Sequence, residues 1–414
     1  MKGNLNQRGF DMSTVFEKAS IGTMQLQNRI IRSATHEGYC CEDGGPMVDK
    51  LVSLYRRLGE GGAGAIITGY CGVSRSGRAI QNMRMFDDDR FIEEYAGING
   101  SLKQYGVPVI NQICHGGGFS SPDAVEGEVM APSKVRYMTY NVVPREMSEE
   151  DIYRVKDDFV AAIVRSKNAG FDGVQVHCAH GYLLCEFLSP AANRRRDQWG
   201  GSTENRFRLI DLILEEARKK VGNYPILAKI SAYDGDRGGM RIDESVKVAK
   251  LLQGAGCDGI EVSCGGINDG FAAVRGTKVP VEAAFALFPA FRDMPALKKA
   301  ALKLLAPLLF KKHTPLHLYN VDAAQRIKSA VDIPVIVVGG FRNIDAITDV
   351  INNEKADFVS MSRPFIIEPG IVNAFRDGSK KESACIDCAY CLMGVSDNYL
   401  RCYKGRIPGE KNSL

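Results

Sequence analysis

The residues best equipped for chemistry lie in one short run, HCAHGYL, where His177 and His180 stand three apart and Tyr182 follows two residues later. Two imidazoles so placed can hydrogen-bond a carbonyl oxygen or an anion, and a neighbouring phenol can supply a proton. Gly181 allows the sharp turn that would let all three converge. A zinc site or a pair of structural histidines is compatible with the same spacing. Zinc would add a third ligand and usually a glutamate base, as in HExxH, and HCAHG offers neither within the motif. A second set, Cys385, Cys388, Cys391 and Cys402, forms C-x2-C-x2-C-x10-C. Four thiols so close together suit a 4Fe–4S cluster or a zinc ion held by four thiolates. The other cysteines, Cys40, Cys41 and Cys71 among them, read as scattered core or surface thiols. Lys229, in AKIS, places an amine at a strand end, where it could form a Schiff base as aldolases do.

These groups need a scaffold that gathers strand ends. Residues 171–176, FDGVQV, form a short β-prone run directly before His177. Similar runs at 29–33, 63–69, 107–113, 171–177, 224–231, 257–264, 334–340 and 356–363 alternate with amphipathic stretches such as 48–60, 149–169, 207–221, 244–254 and 321–330. Strand and helix in such alternation predict an α/β fold, a (β/α)8 TIM barrel whose chemistry sits where the strands end. A doubly wound open sheet would require a glycine fingerprint after the first strand, and RSATHEG stands there instead. GEGGAG at 59–64 fits GxGxxG, but it ends a helix and precedes a strand, the reverse of the required order.

Two rim insertions break the rhythm, 116–145 after strand three and 278–318 after strand six. The second contains MPALKKAALKLLAPLLFKKH, a basic, apolar helical pattern interrupted by Pro307. It reads as a lid over a substrate cavity, with a membrane-surface helix as the alternative. The expected organisation is an N-terminal extension at 1–15 with Met12 as the natural start, a barrel at 16–380 and a short C-terminal cysteine-rich tail at 381–414. A formal charge of +4 with both signs interspersed gives nucleic-acid binding no support. No window is apolar enough to span a membrane, and the opening MKGNLNQRGF has no apolar leader. A cytoplasmic protein is expected, its twelve cysteines free or ligating rather than paired in disulfides.

HxAHGYL, then EFLSP, then NRRxDxWGGSxENR resembles the old yellow enzyme family, flavin-dependent ene-reductases that include the 2,4-dienoyl-CoA reductases, and the likeness runs from about Phe16 to Arg376. It implies FMN, reduced by NAD(P)H, and a homo-oligomer. Ser33, Ala34 and Thr35 would then face the flavin, with Gly69 against its ring and Gln112 on its pyrimidine. Lys229 would lie near N1 and O2. Gly339, Gly340, Ser362 and Arg363, in the loops after strands seven and eight, would hold the phosphate. The family usually has Gly before that arginine, whereas Ser362 stands here. The alternative is that the glycines only make a turn and Arg363 pairs with a carboxylate. On the same resemblance His177 and His180 bind the carbonyl oxygen of an α,β-unsaturated substrate and Tyr182 protonates its α-carbon. One imidazole of such a pair is worth about 3 kcal/mol of barrier lowering. Dienoyl-CoA reductase relatives carry a comparable tail that ligates a cluster, although this spacing is shorter than their C-x2-C-x3-C-x11-C. Their FAD/NAD(P)H domain is not found before Leu414, so electrons are expected from a partner protein or directly from NAD(P)H. An amine dehydrogenase or demethylase and a flavin/iron-sulfur electron carrier are the alternative functions.

Overall fold

The computed structural model describes residues 12–269, 285–286, 294–309, 316–395 and 399–405. Eight strands, β1 Ile30–Arg32, β2 Ala65–Ile67, β3 Val109–Cys114, β4 Gly173–Cys178, β5 Ile226–Ser231, β6 Gly259–Ser263, β7 Val335–Val338 and β8 Phe358–Met361, pair in that order, all parallel. β8 returns to β1, with Met361 opposite Arg32, so the sheet closes. The strands are buried along almost their whole length, as expected where one face lines the barrel and the other lies under helices. The intervening helices are α1 Val48–Glu60, α2 Ile92–Leu102, α3 Glu149–Asn168, α4 Thr203–Val221, α5 Ile242–Gly254, α6 Val321–Lys328 and α7 Ile344–Asn352, with α8 Ile371–Arg376 after β8.

Local chemistry fixes where these helices start. Ser148 Oγ accepts from the Asp151 amide at 3.1 Å while Asp151 Oδ2 accepts from the Ser148 amide at 2.9 Å, a reciprocal cap that opens α3. Ser202 and Asn343 cap α4 and α7 in the same sense, accepting from the Asn205 and Ala346 amides. The Ser202 cap starts α4 at Thr203, four residues before the periodic apolar pattern at 207.

The N-terminal end of the barrel is closed by a hairpin, Ala19–Ile21 against Met24–Leu26, whose Ile21, Met24 and Leu26 pack on Ile31, Ile67, Ile110, Leu227, Ile336 and Phe358 inside the cylinder. That hydrophobic plug leaves the opposite mouth for polar groups. Val15 is also fully buried, and its carbonyl accepts from the Arg29 amide. At the mouth, the insertion after β3 includes a small parallel pair, Met130–Ala131 with Arg145–Glu146. Helix Ala296–Leu309 lies in the second insertion and includes Pro307. Leu297 and Leu304 on it are exposed. The remainder of the lid expected at 278–318 lies largely outside the described residues. Among the described residues no helix is long and apolar enough to cross a membrane.

Candidate active site

The inward-facing residues of the barrel's upper half form one hydrogen-bonded chain. Register places Gln112 opposite Gln175, His177 opposite Lys229 and Lys229 opposite Glu261. Gln112 Nε2 donates to Gln175 Oε1 at 2.7 Å, and Gln175 Nε2 donates to Glu261 Oε2 at 2.9 Å. Ser33 and Ser360 both donate to Glu261 Oε1, at 2.6 and 2.7 Å. Lys229 Nζ lies 3.2 Å from Glu261 Oε2 and 3.0 Å from Ser33 Oγ. Burial alone would raise the Glu261 carboxyl pKa; the Lys229 charge and the three hydrogen bonds outweigh it and hold the group below its ordinary value. The Lys229 amine is therefore engaged by a buried carboxylate and not presented to a substrate carbonyl, which removes the support for a Schiff-base reading. Glu261 was not anticipated, although a glutamate between Ile260 and Val262 in an otherwise apolar strand is a signal of an inward-facing charge.

Above this layer, the end of β4 delivers the residues of HCAHGYL. The His177 and His180 rings lie 5.0 Å apart at 81°, and the Tyr182 ring is 4.9 Å from His177 at 73°. The Ala179 amide donates to His177 Nδ1 at 3.2 Å. His180 adopts φ +64° and Gly181 φ +79°, the two left-handed residues that turn the chain and fold His180 back toward β5 and β6. Its amide donates to Ser231 Oγ at 3.1 Å and its Nε2 meets Ser263 Oγ at 2.7 Å. Burial, then the charge of Lys229, pushes His180 down to about 3; burial, the neighbouring His180 and Lys229 lower His177 as well. Both imidazoles are thus neutral near pH 7. The Tyr182 phenol is raised by burial, an effect opposed by a hydrogen bond from Tyr70, whose ring lies 5.5 Å away.

The longer motif that follows is architectural. Asn193 Nδ2 donates to the Phe187 and Trp199 carbonyls, Asp197 Oδ1 accepts from the Trp199 amide, and Arg206 Nε donates to the Leu188 carbonyl. NRRxDxWGGSxENR thus clamps the loop after β4 and starts α4; only HCAHGY reaches the mouth.

Thr35 Oγ1 donates to the Ser33 carbonyl at 3.0 Å, and Ala34 is partly buried against the interior cluster. Gly69 serves a buried carboxylate: its amide donates to both Glu37 oxygens, and a Cβ there would lie 2.1 Å from Glu37 Oε2 and 2.6 Å from the Thr35 carbonyl. Glu37 is further held by Arg32, Arg84 and Tyr55. At the end of β7, Gly339 and Gly340 have φ of +144° and +75°, conformations that favour glycine. Ser362 has φ −111°, so the serine in place of glycine costs no backbone strain. Arg363 lies 3.0 Å from Asp387 Oδ1, a carboxylate also bound by Arg342 and by His317 Nε2 at 3.1 Å. Arg363 is therefore paired with a carboxylate of the tail itself.

That tail is laid over the barrel mouth. The Leu400 amide donates to the Glu37 carbonyl, Tyr399 packs on Tyr39, and Asn82 Nδ2 donates to the Val395 carbonyl. Cys385, Cys388, Cys391 and Cys402 all line one cleft with Arg363, Ala389, Tyr403 and Lys404. Burial pushes the Cys391 thiol up to about 12. Among the described residues, no three His, Cys, Asp or Glu side chains stand close enough to hold a metal ion.

Residues 14–268 match the NADH:flavin oxidoreductase / NADH oxidase family. The chain belongs to this family. An NADH oxidase from Thermoanaerobacter brockii is 31% identical over 404 residues, 96% of this chain and 56% of that protein. An NADPH dehydrogenase from Bacillus subtilis (strain 168) is 28% identical over 86% of this chain and 92% of its own. The structure of an old yellow enzyme homologue from Zymomonas mobilis superposes with a TM-score of 0.71 at 21% identity, over 96% of this chain and 99% of that one. The chain spans about half the length of relatives such as the NADH oxidase. The family's flavin and NAD(P)H chemistry frames the site, and the match covers β1 to β6 with both histidines.

Proposed function

We propose that this chain is an FMN-dependent ene-reductase acting on an α,β-unsaturated carbonyl compound, an enone or an enoyl-thioester. The observation that carries the proposal is the His177 pairing: because the Ala179 amide fills Nδ1, a neutral His177 holds its proton on Nε2 and is a hydrogen-bond donor. With the His180 ring nearly perpendicular beside it, two uncharged donors can address one oxygen. Such donors stabilise negative charge as it develops on that oxygen without titrating near neutral pH. Tyr182, raised by burial, stays protonated and keeps a proton for the substrate α-carbon.

Gln112 of β3, Lys229 of β5 and Thr35 after β1 would face the flavin ring, and Gln112 Oε1 accepts no hydrogen bond among the described residues. FMN, once bound and reduced by NAD(P)H, would supply the hydride for the substrate β-carbon. Lys229 would share its charge between Glu261 and the pyrimidine edge. Gly339, Gly340, Ser362 and Arg363 would meet the phosphate, with Arg342 beside them. Cys385, Cys388, Cys391 and Cys402, set around one cleft, would hold the 4Fe–4S cluster, with zinc as the other ion that four thiolates suit. In that arrangement Arg363 joins the cluster cleft to the phosphate loops, and electrons could pass from a donor protein.

An anaerobic visible spectrum of purified protein, with iron and zinc quantified, tests the cofactor set. Flavin bands with iron, followed by reoxidation of the reduced protein on adding 2-cyclohexenone, are expected. A colourless protein, or reduced protein untouched by any enone but oxidised by amine-independent electron acceptors, would overturn the reading.

A further inference from the structure

The two imidazoles at the mouth have their protons placed by different means. His177 is set by the backbone, whereas His180 has no backbone donor on its ring. Its Nε2 meets only the Ser263 hydroxyl, at 2.7 Å, at the end of β6. Among the described residues Nδ1 of His180 has no partner, and the residue is half-buried at the rim. A neutral imidazole has one proton for two nitrogens. If that proton sits on Nε2 it is spent on Ser263, and Nδ1 can only accept. If it sits on Nδ1, the serine must donate to Nε2, and His180 has a donor left for a ligand.

Ser231 sharpens the difference between the two serines. It accepts from the His180 amide and spends its own hydrogen on the Gly265 carbonyl at 2.7 Å, so it positions the residue without touching the ring. The left-handed backbone of His180 is held by this contact and by the Gly181 turn behind it, where a side chain would strike the Gly266 carbonyl at 2.8 Å. The ring is thereby delivered to Ser263 in one orientation.

We propose that Ser263 is a positioning residue that selects the Nδ1–H tautomer of His180 by donating its hydroxyl hydrogen to Nε2, making His180 a second donor for an electron-rich ligand oxygen. The proposal rests on the reading of the histidines as a carbonyl-binding pair, and it specifies the ligand chemistry further. A carboxylate at 263 would accept from Nε2–H and favour a cationic ring. The serine instead supports a neutral donor, suited to a carbonyl that becomes enolate-like and not to an amine. Burial and Lys229 keep the ring uncharged, against the opposing influence of Glu261. Only six histidines occur in the chain, so each ring can be resolved.

The test is nitrogen NMR of ring-labelled histidine in flavin-loaded protein near pH 7, with His180→Gln used for assignment. Wild type should show a protonated Nδ1 and an unprotonated Nε2 for His180. Ser263→Ala should mix or invert the tautomers, and Ser263→Thr should restore them. In steady state Ser263→Ala should lose about ten- to hundredfold in kcat/KM for an enone, the range for a lost orienting partner, with Thr rescuing the loss. An Nε2–H His180 in wild type, or an Ala variant identical to wild type in both spectrum and rate, overturns the proposal. A Ser263-dependent Nδ1–H tautomer in a protein that turns over no enone supports the role of Ser263 while removing the enone reading, so the two failures are distinguishable.

Discussion

Replacing Glu261 with glutamine removes one charge from the centre of the barrel while keeping its shape. Glu261 is fully buried and accepts from Ser33, Ser360 and Gln175, with Lys229 at 3.2 Å. All four neighbours donate, so a glutamine amide must turn its NH2 toward at least one donor, and Lys229 is left buried without a counter-charge. Removing one partner of a buried pair typically costs about 3–5 kcal/mol, a large share of the roughly 5–15 kcal/mol that holds a domain together. Urea unfolding should show that loss as a lowered midpoint with an unchanged slope. Lys229→Met combined with Glu261→Gln should recover part of it by restoring neutrality. A single-variant loss under about 1 kcal/mol, or a double variant no better than Glu261→Gln, would refute the charge account of this layer.

Gly69→Ala should destabilise the fold by at least about 2 kcal/mol, because the added Cβ strikes the Glu37 carboxylate and the Thr35 carbonyl; a thermal melt within error of wild type would contradict this. Acid should weaken the protein through its buried histidines. Burial pushes His115 and His180 down to about 3 and His36 to about 4, from 6.5 in the unfolded chain. The unfolded state therefore binds protons that the native state refuses, and stability is retained above pH 6.5 and lost as pH falls toward those lower values. Each histidine contributes at most about 1.4 kcal/mol per pH unit within that window, measurable by denaturation at stepped pH. Cys391→Ser should abolish iron incorporation, read by metal analysis, while the flavin bands persist; retained stoichiometric iron would exclude a four-cysteine cluster.

The barrel was legible because each strand is a compact apolar run ended by small or polar residues, and all eight runs fall on strands that pair in order. Helix starts were less legible where a cap precedes the periodic pattern, as at Ser202. Proximity of His177, His180 and Tyr182 followed from their spacing and from Gly181. What spacing could not reveal is closure: Glu261 and Lys229 meet only because β5 and β6 are adjacent, and Asp387 reaches Arg342 and Arg363 only because the tail folds back across the mouth. Asp387 was hidden between cysteines that drew the eye as ligands. Its φ of +58°, and that of Ala389 at +57°, are backbone features that residue types do not announce.

The central claim is that two neutral imidazoles donate to one ligand oxygen at the barrel mouth. Its most direct test is single-turnover oxidation of the reduced flavoprotein by 2-cyclohexenone, comparing wild type with His177→Ala and His180→Ala. Each variant should be slowed about a hundredfold or more, as expected for a lost donor worth about 3 kcal/mol, with the flavin absorbance bands preserved. Enone rates unchanged in both variants would contradict the account.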